Sequence, residues 1–202
     1  GSVNVPEDNM TTFSFDDSHN GEAYRISASS DILVVHRSNS STFSNSYVLH
    51  EPAKSWWGVG SENMGISVLQ DDTDITLYYS DGTSTTYTSQ SAGSDIIVTG
   101  FASDGTGLAV HVNATKPVGV MQFNDSDGRE ASIFLPDHEL DGKYYLPVPA
   151  SYVAVSAVDD GISCTLTSTT TLKSSFASGA GYPYPAKWYY GSEDGTNIPA
   201  GS

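Results

Sequence analysis

The sequence predicts an all-β protein of antiparallel strands, with no substantial helix. Three observations carry that prediction. Apolar and polar residues alternate with a period of two over short stretches, and those stretches are rich in β-branched and aromatic residues. Asp-Gly turns separate several of them. No run of a dozen residues sustains the 3.6-residue period of an amphipathic helix.

The expected strands follow in chain order. AYRISA (23–28) and DILVVHR (31–37) open the series, with Ile26, Ile32 and Val34 keeping the alternation. ITLYYS (75–80) and TSTTYTS (83–89) flank SDGT (80–83), where Asp-Gly suits the positive-φ turn of a hairpin. DIIVTGF (95–101) precedes SDGTG (103–107), and LAVHVNA (108–114) and PVGVMQF (117–123) follow as two strands. Beyond DSDG (125–128) come SYVAVSAV (151–158) and CTLTSTTTL (164–172), and EDGT (193–196) closes the set. Cys164 is the single cysteine, so no disulfide framework is expected, and its alternating neighbours mark it as a small buried hydrophobe.

An internal duplication emerges when GEAYRISASSDILVVH (21–36) is set over GLAVHVNATKPVGVMQ (107–122). Gly21 meets Gly107, Ala23 meets Ala109, Ala28 meets Ala114 and Val34 meets Val120, at an offset of 86. Trp57 meets Tyr145 and Asp71-Asp72 meets Asp159-Asp160 at 88, while ITL (75–77) meets CTL (164–166) at 89. Such drift accumulates where loops are expected. The expected anatomy is two tandem β-sandwich units, 1–102 and 103–187, with 188–202 opening a third unit or forming a last strand and linker. The shared Pro-Ala-Lys of PAKSWWG (52–58) and PAKWYYG (185–191) lies about one and a half repeats apart. It therefore marks two different positions in the repeat.

The charge balance limits partners. Twenty-four acidic residues against eight Lys and Arg leave a formal charge of -16. That field repels nucleic-acid phosphates and anionic lipid, and it suits a soluble protein in a saline setting. No apolar run is long enough to span a bilayer as a helix, and no signal peptide is recognised. Gly1-Ser2 reads as a cleavage scar.

The segment from Lys116 to Thr167 resembles two related sets of proteins. Lys116-Pro117-Val118, an acidic loop, Leu135-Pro136, Tyr144-x-x-Pro147 and the Val153-x-Val155 strand are similar to the repeat of the IgGFc-binding-protein N-terminal family. The same stretch, with KWYYGS (187–192) and NIPAG (197–201), resembles repeat modules of marine phage virion and tail-fibre-like proteins. Ala186 stands where those modules carry glycine. The resemblance implies a β-sandwich module of a virion or extracellular surface protein, and it transfers no catalytic residues.

Two groups of residues are candidates for binding. Trp56, Trp57, Trp188, Tyr189 and Tyr190 cluster in short aromatic stretches. Because strand neighbours face opposite sides, one ring of each cluster is expected outside, where it could stack on a sugar or a partner. The alternative is that these rings plug the ends of the sandwich. Asp125, Asp127 and Glu130 share the loop NDSDGRE and could offer oxygens to Ca²⁺, although the spacing departs from the EF-hand pattern. QDDTD (70–74) and Asp159-Asp160 are the other acidic clusters, and solvated hairpin loops are the competing account of all three. His19, His36, His50, His111 and His138 lack zinc-ligand spacing.

No nucleophile elbow, metalloprotease motif or phosphate loop occurs. The expectation is a non-enzymatic structural or attachment module of a phage virion appendage, trimeric if a tail fibre. Its partners would be other surface proteins or a host glycan. A bacterial secreted or cell-surface adhesin repeat is the alternative, and a polysaccharide-degrading tail protein the third reading.

Overall fold

The computed structural model describes residues 26–30, 33–37, 46–60, 63–99, 108–123, 134–144, 152–156, 158, 173–177 and 186–190. Twelve strands lie within them: β1 (Val35–Arg37), β2 (Ser46–Val48), β3 (Ala53–Gly60), β4 (Asn63–Val68), β5 (Thr73–Tyr79), β6 (Ser84–Gln90), β7 (Asp95–Val98), β8 (Leu108–Phe123), β9 (Leu135–Pro136), β10 (Tyr152–Ser156), β11 (Lys173–Ala177) and β12 (Ala186–Tyr190). A single 3-10 turn spans Asp137–Glu139, and there is no α-helix among the described residues. Every pairing among the described residues is antiparallel, as the alternation predicts.

The long strand β8 organises the largest sheet. Its first half lies between β5 and β3, giving the order β6-β5-β8-β3-β9. Its second half, from Val118 to Phe123, pairs with β4, and β4 pairs in turn with β7. Two smaller sheets are β1-β2 and β10-β12-β11.

The two strands expected at 108–114 and 117–123 are thus one strand of 16 residues. Pro117 argues for a break because it cannot donate to a ladder. It falls where β8 changes partners, between Ala114, the last residue opposite β5, and Val118, the first opposite β4. A missing N–H is tolerated at such a junction. Alternation alone does not mark β3 and β4 as strands, since Gly58, Gly60 and Gly65 dilute it. In the other direction, Ile26–Ala28 is not a strand, and of the described residues 33–37 only Val35–Arg37 form one; residues 23–25 and 31–32 lie outside the described residues. Residues 164–172 lie outside the described residues. The boundary expected at 102/103 falls between β7 and β8, so one sheet spans it, and the boundary expected at 187/188 falls within β12.

Chain reach dictates the shape of β8. Gly60 sits opposite Leu108 and Asn63 opposite Phe123. Three virtual Cα bonds join Gly60 to Asn63, a span of at most about 11 Å. A straight strand would hold Leu108 and Phe123 roughly 50 Å apart. β8 is therefore sharply bent, and its halves turn toward each other.

The core fills the inside of that bend. Trp56 of β3, Met64, Ile66 and Val68 of β4, Ile75, Leu77 and Tyr79 of β5, and Val110, Val112, Ala114 and Val118 of β8 form one buried cluster with Ile96, Val98 and Phe134. In β5 the alternation is strict: Ile75, Leu77 and Tyr79 are buried, while Thr76 and Tyr78 face away. Each large apolar side chain so buried stabilises by about 1.5–3 kcal/mol. The β5–β6 hairpin closes on Asp81-Gly82, where Gly82 has φ 88° and donates its N–H to Tyr79 O at 3.0 Å. The Asp81 carboxylate accepts from Thr83 N at 2.9 Å. The Asp-Gly signal thus marks a real turn here; the expected turns at 103–107, 125–128 and 193–196 lie outside the described residues.

Among the buried polar side chains of the described residues, Gln122 stands out. Gln122 is 1 % exposed, and neither atom of its amide has a hydrogen-bond partner among the described residues. An unsatisfied buried polar group costs about 1–3 kcal/mol. Gln122→Met, of similar volume, should therefore raise stability by about 1–3 kcal/mol, read as a higher denaturant midpoint at unchanged m-value.

Candidate functional site

The face of the β6-β5-β8-β3 sheet opposite the core carries two cross-strand rows. Register sets both. Thr86 of β6 lies opposite Thr76 of β5, Thr76 opposite Asn113 of β8, and Asn113 opposite Ser55 of β3. Two residues along, Ser84, Tyr78, His111 and Trp57 align in the same way. The first row is polar throughout, and the second is mostly aromatic.

The aromatic row is stacked and closed. The Trp57 and His111 rings lie 3.8 Å apart at an interplanar angle of 8°, and Tyr78 continues the stack at 5.8 Å from His111. Ser55 Oγ donates to Asp137 Oδ1 at 2.7 Å and lies 2.9 Å from His111 Nε2. The Trp57 indole N–H donates to the same carboxylate oxygen. Ser55 has one hydroxyl proton, and Asp137 takes it, so His111 Nε2 must carry the proton it shares with Ser55. The donation runs from His111 to Ser55 to Asp137. That is opposite to the order in which a histidine base would activate a serine nucleophile. What the arrangement achieves is attachment of the 3-10 turn to the sheet. Glu139 adds a second clasp, since its carboxylate meets His50 Nδ1 at 2.7 Å, and His50 packs edge-on against Trp56.

Burial holds the His111 imidazole below its ordinary value of 6.5, with Asp137 opposing the shift. The sign follows directly. An unfolded chain takes up this proton more readily, so the contribution of His111 is complete above pH 6.5 and lost as pH falls below it. The slope is bounded by about 1.4 kcal/mol per pH unit for one proton. Asp95, raised by burial, acts oppositely, in the window just above its ordinary 3.8. Unfolding free energies measured between pH 7 and 5 should fall in the native chain and fall less in His111→Gln.

The polar row borders an open cavity of about 370 Å³ lined by Lys54, Asp74, Thr76, Asn113, Ala114 and Thr115. Its edges are braced by backbone-directed bonds. Asp74 N donates to Thr115 Oγ1 at 2.9 Å, and Asp74 Oδ1 accepts from Ser89 N at 2.8 Å. The Thr76 and Thr86 hydroxyls are 3.3 Å apart. Asn113 is exposed and projects from the middle of this face.

Of the aromatic residues singled out in sequence, Trp56 and Trp57 take opposite faces as alternation predicts, but both are covered. Trp56 is 1 % exposed, in the core, and its indole N–H is shared between Ala53 O and Val118 O, each at 3.1 Å. Trp57 does take the opposite face, yet at 8 % exposure it is covered, and its N–H is used by Asp137. Neither ring is open to a ligand. Trp188, Tyr189 and Tyr190 lie in β12, opposite Ala154, Val153 and Tyr152 of β10. Asp125, Asp127 and Glu130 lie outside the described residues. Among the described residues no group of three His, Cys, Asp or Glu side chains could hold a metal, and no helix is long and apolar enough to cross a membrane.

Sequence reasoning overlooked Thr76, Asn113, Thr86 and Ser55. A polar residue at every second position of a strand reads only as a solvent face. Nothing in one strand says that four such positions align. Comparison with protein families, curated proteins and solved structures found no match to this chain.

Proposed function

We propose that the chain is a non-enzymatic attachment module of β-sandwich type, displayed on a virion appendage and binding a neutral glycan through its outer sheet face. One observation carries the reading: the row Thr86-Thr76-Asn113 beside a cavity bordered by Lys54 and Asp74. Hydroxyl and amide groups at strand spacing match the alternating donors and acceptors of a sugar edge, and Tyr78 of the adjacent row supplies an aromatic flank. The charge of -16 disfavours anionic polysaccharides.

The sandwich rests on the bend of β8, which brings β4 and β7 across the core from the β6-β5-β8-β3-β9 order. The duplication is supported by an echo in the pairing. β10 begins 89 residues after β4, β12 begins 91 after β7, and β10 pairs with β12 as β4 pairs with β7. The virion setting rests on the resemblance of Lys116–Thr167 to phage repeat modules.

An array of neutral glycans probed with the whole chain tests the proposal. The expected result is selective binding, weakened about tenfold by Asn113→Ala through loss of one or two hydrogen bonds. A blank array, or binding indifferent to Asn113→Ala, refutes it.

A further inference from the structure

The edge of the central sheet has a property that the glycan-binding face does not explain. Among the described residues β6 ends the strand order, and Ser84, Thr85, Thr86, Thr88 and Ser89 are exposed along it. The hairpin bond from Tyr79 N to Thr83 O fixes which backbone groups point where. Hydrogen-bonded pairs alternate along an antiparallel ladder. Thr83, Thr85 and Tyr87 therefore bond toward β5, while Ser84 and Thr86 turn their N–H and C=O groups outward. Ser89, with φ 51°, ends the straight edge. What remains is a flat segment from Ser84 to Thr88, centred on Thr86.

Exposed edges are ordinarily blunted by charge, proline or an inward-pointing lysine. From Gly82 to Ser94 there is no charged residue and no proline, although Asp81 and Asp95 flank the stretch. Thr, Tyr and Ser in this segment also favour pairing.

We infer that two copies of this chain join edge to edge through β6, antiparallel about a two-fold axis at Thr86. The neutrality and self-complementary register of the edge fit this occupant, although the net charge opposes it. Two molecules that each carry -16 repel over most of their surfaces, and an uncharged edge is where like-charged copies can approach. A cationic partner would instead gain from the acidic surface. The register is self-complementary. Thr86 meets its symmetry mate as a hydrogen-bonded pair, Ser84 meets Thr88 of the second copy, and Thr85 meets the second copy's partly buried Tyr87. The Thr76–Thr86 hydroxyl contact then continues across the axis. Asp81 is not placed opposite itself. The resulting sheet runs unbroken through both copies.

Sedimentation velocity on the whole chain across a concentration series, at low and at moderate salt, tests this. The native chain should form dimers, more tightly as salt screens the net repulsion. Thr86→Pro removes an outward N–H without touching the β5 ladder, and should weaken dimerisation more than tenfold at an unchanged melting temperature. Should that variant unfold, the Ser84→Lys/Thr88→Lys double substitution decides, because it sets lysine against lysine across the axis while lowering the overall repulsion. A native chain that stays monomeric overturns the inference. So does a dimer or trimer indifferent to the lysine substitutions. Glycan binding is read separately through Asn113→Ala, so failure of one proposal leaves the other standing.

Discussion

Trp56→Ala should destabilise the chain by about 3–5 kcal/mol, which is most of the stability of an ordinary domain. The indole is the largest side chain of the buried cluster and packs where β3 meets the bent strand β8. Removing it leaves a cavity bordered by elements from both halves of that bend, so collapse around the gap is hindered. The loss also strips a donor from Ala53 O and from Val118 O, the latter in a buried contact. Trp56→Phe separates the two effects, since it retains most of the volume and deletes the N–H. Chemical denaturation should rank the native chain above Trp56→Phe and Trp56→Phe above Trp56→Ala. Equal stability of the alanine variant and the native chain would show that Trp56 does not anchor this core.

Gly58→Ala is expected to destabilise by about 1–3 kcal/mol, although alanine is ordinarily the better strand residue. A Cβ at Gly58 would stand 2.7 Å from Phe134 Cδ1, 2.8 Å from Cγ and 2.9 Å from Cε1. These are ring atoms of a side chain only 2 % exposed, so the ring cannot swing into solvent without losing its own burial. The close approach also serves the site. Phe134 leads directly into β9 and the 3-10 turn, which carries Asp137 to Ser55 and Trp57. Gly58→Ala should therefore loosen this clasp as well as lower the denaturation midpoint, and the tryptophan fluorescence of the folded state should change. The double variant Gly58→Ala/Phe134→Leu should recover part of the loss, because the smaller side chain makes room. If Gly58→Ala melts with the native chain, the packing of Phe134 on β3 is wrong.

Composition and alternation were sufficient for the fold class and for most strands of the central sheet. ITLYYS, TSTTYTS and DIIVTGF read as strands because β-branched and aromatic residues recur at every second position, and β5, β6 and β7 lie there. The turn at Asp81-Gly82 was legible because positive φ demands glycine locally. Signals of this kind are short-ranged: a strand's period and a turn's dihedrals are written in about four to eight consecutive residues.

Partner choice is not written that way. Pro117 looks like a strand break until it is seen to sit where β8 exchanges β5 for β4. Alternation sends Trp56 and Trp57 to opposite faces without saying which face is the core or that the other is covered. One enters the core and the other stacks on His111, because the pleat sends neighbours to opposite faces and Asp137 arrives from 80 residues away. Ser55, Thr76, Asn113 and Thr86 come from four strands and share a row only through register. The sequence by itself determined an acidic, antiparallel β protein with its Asp81-Gly82 turn in place. Tertiary structure alone decided which polar residues align, which aromatics are covered and which edge is left open, since each depends on long-range pairing that no local window of residues encodes.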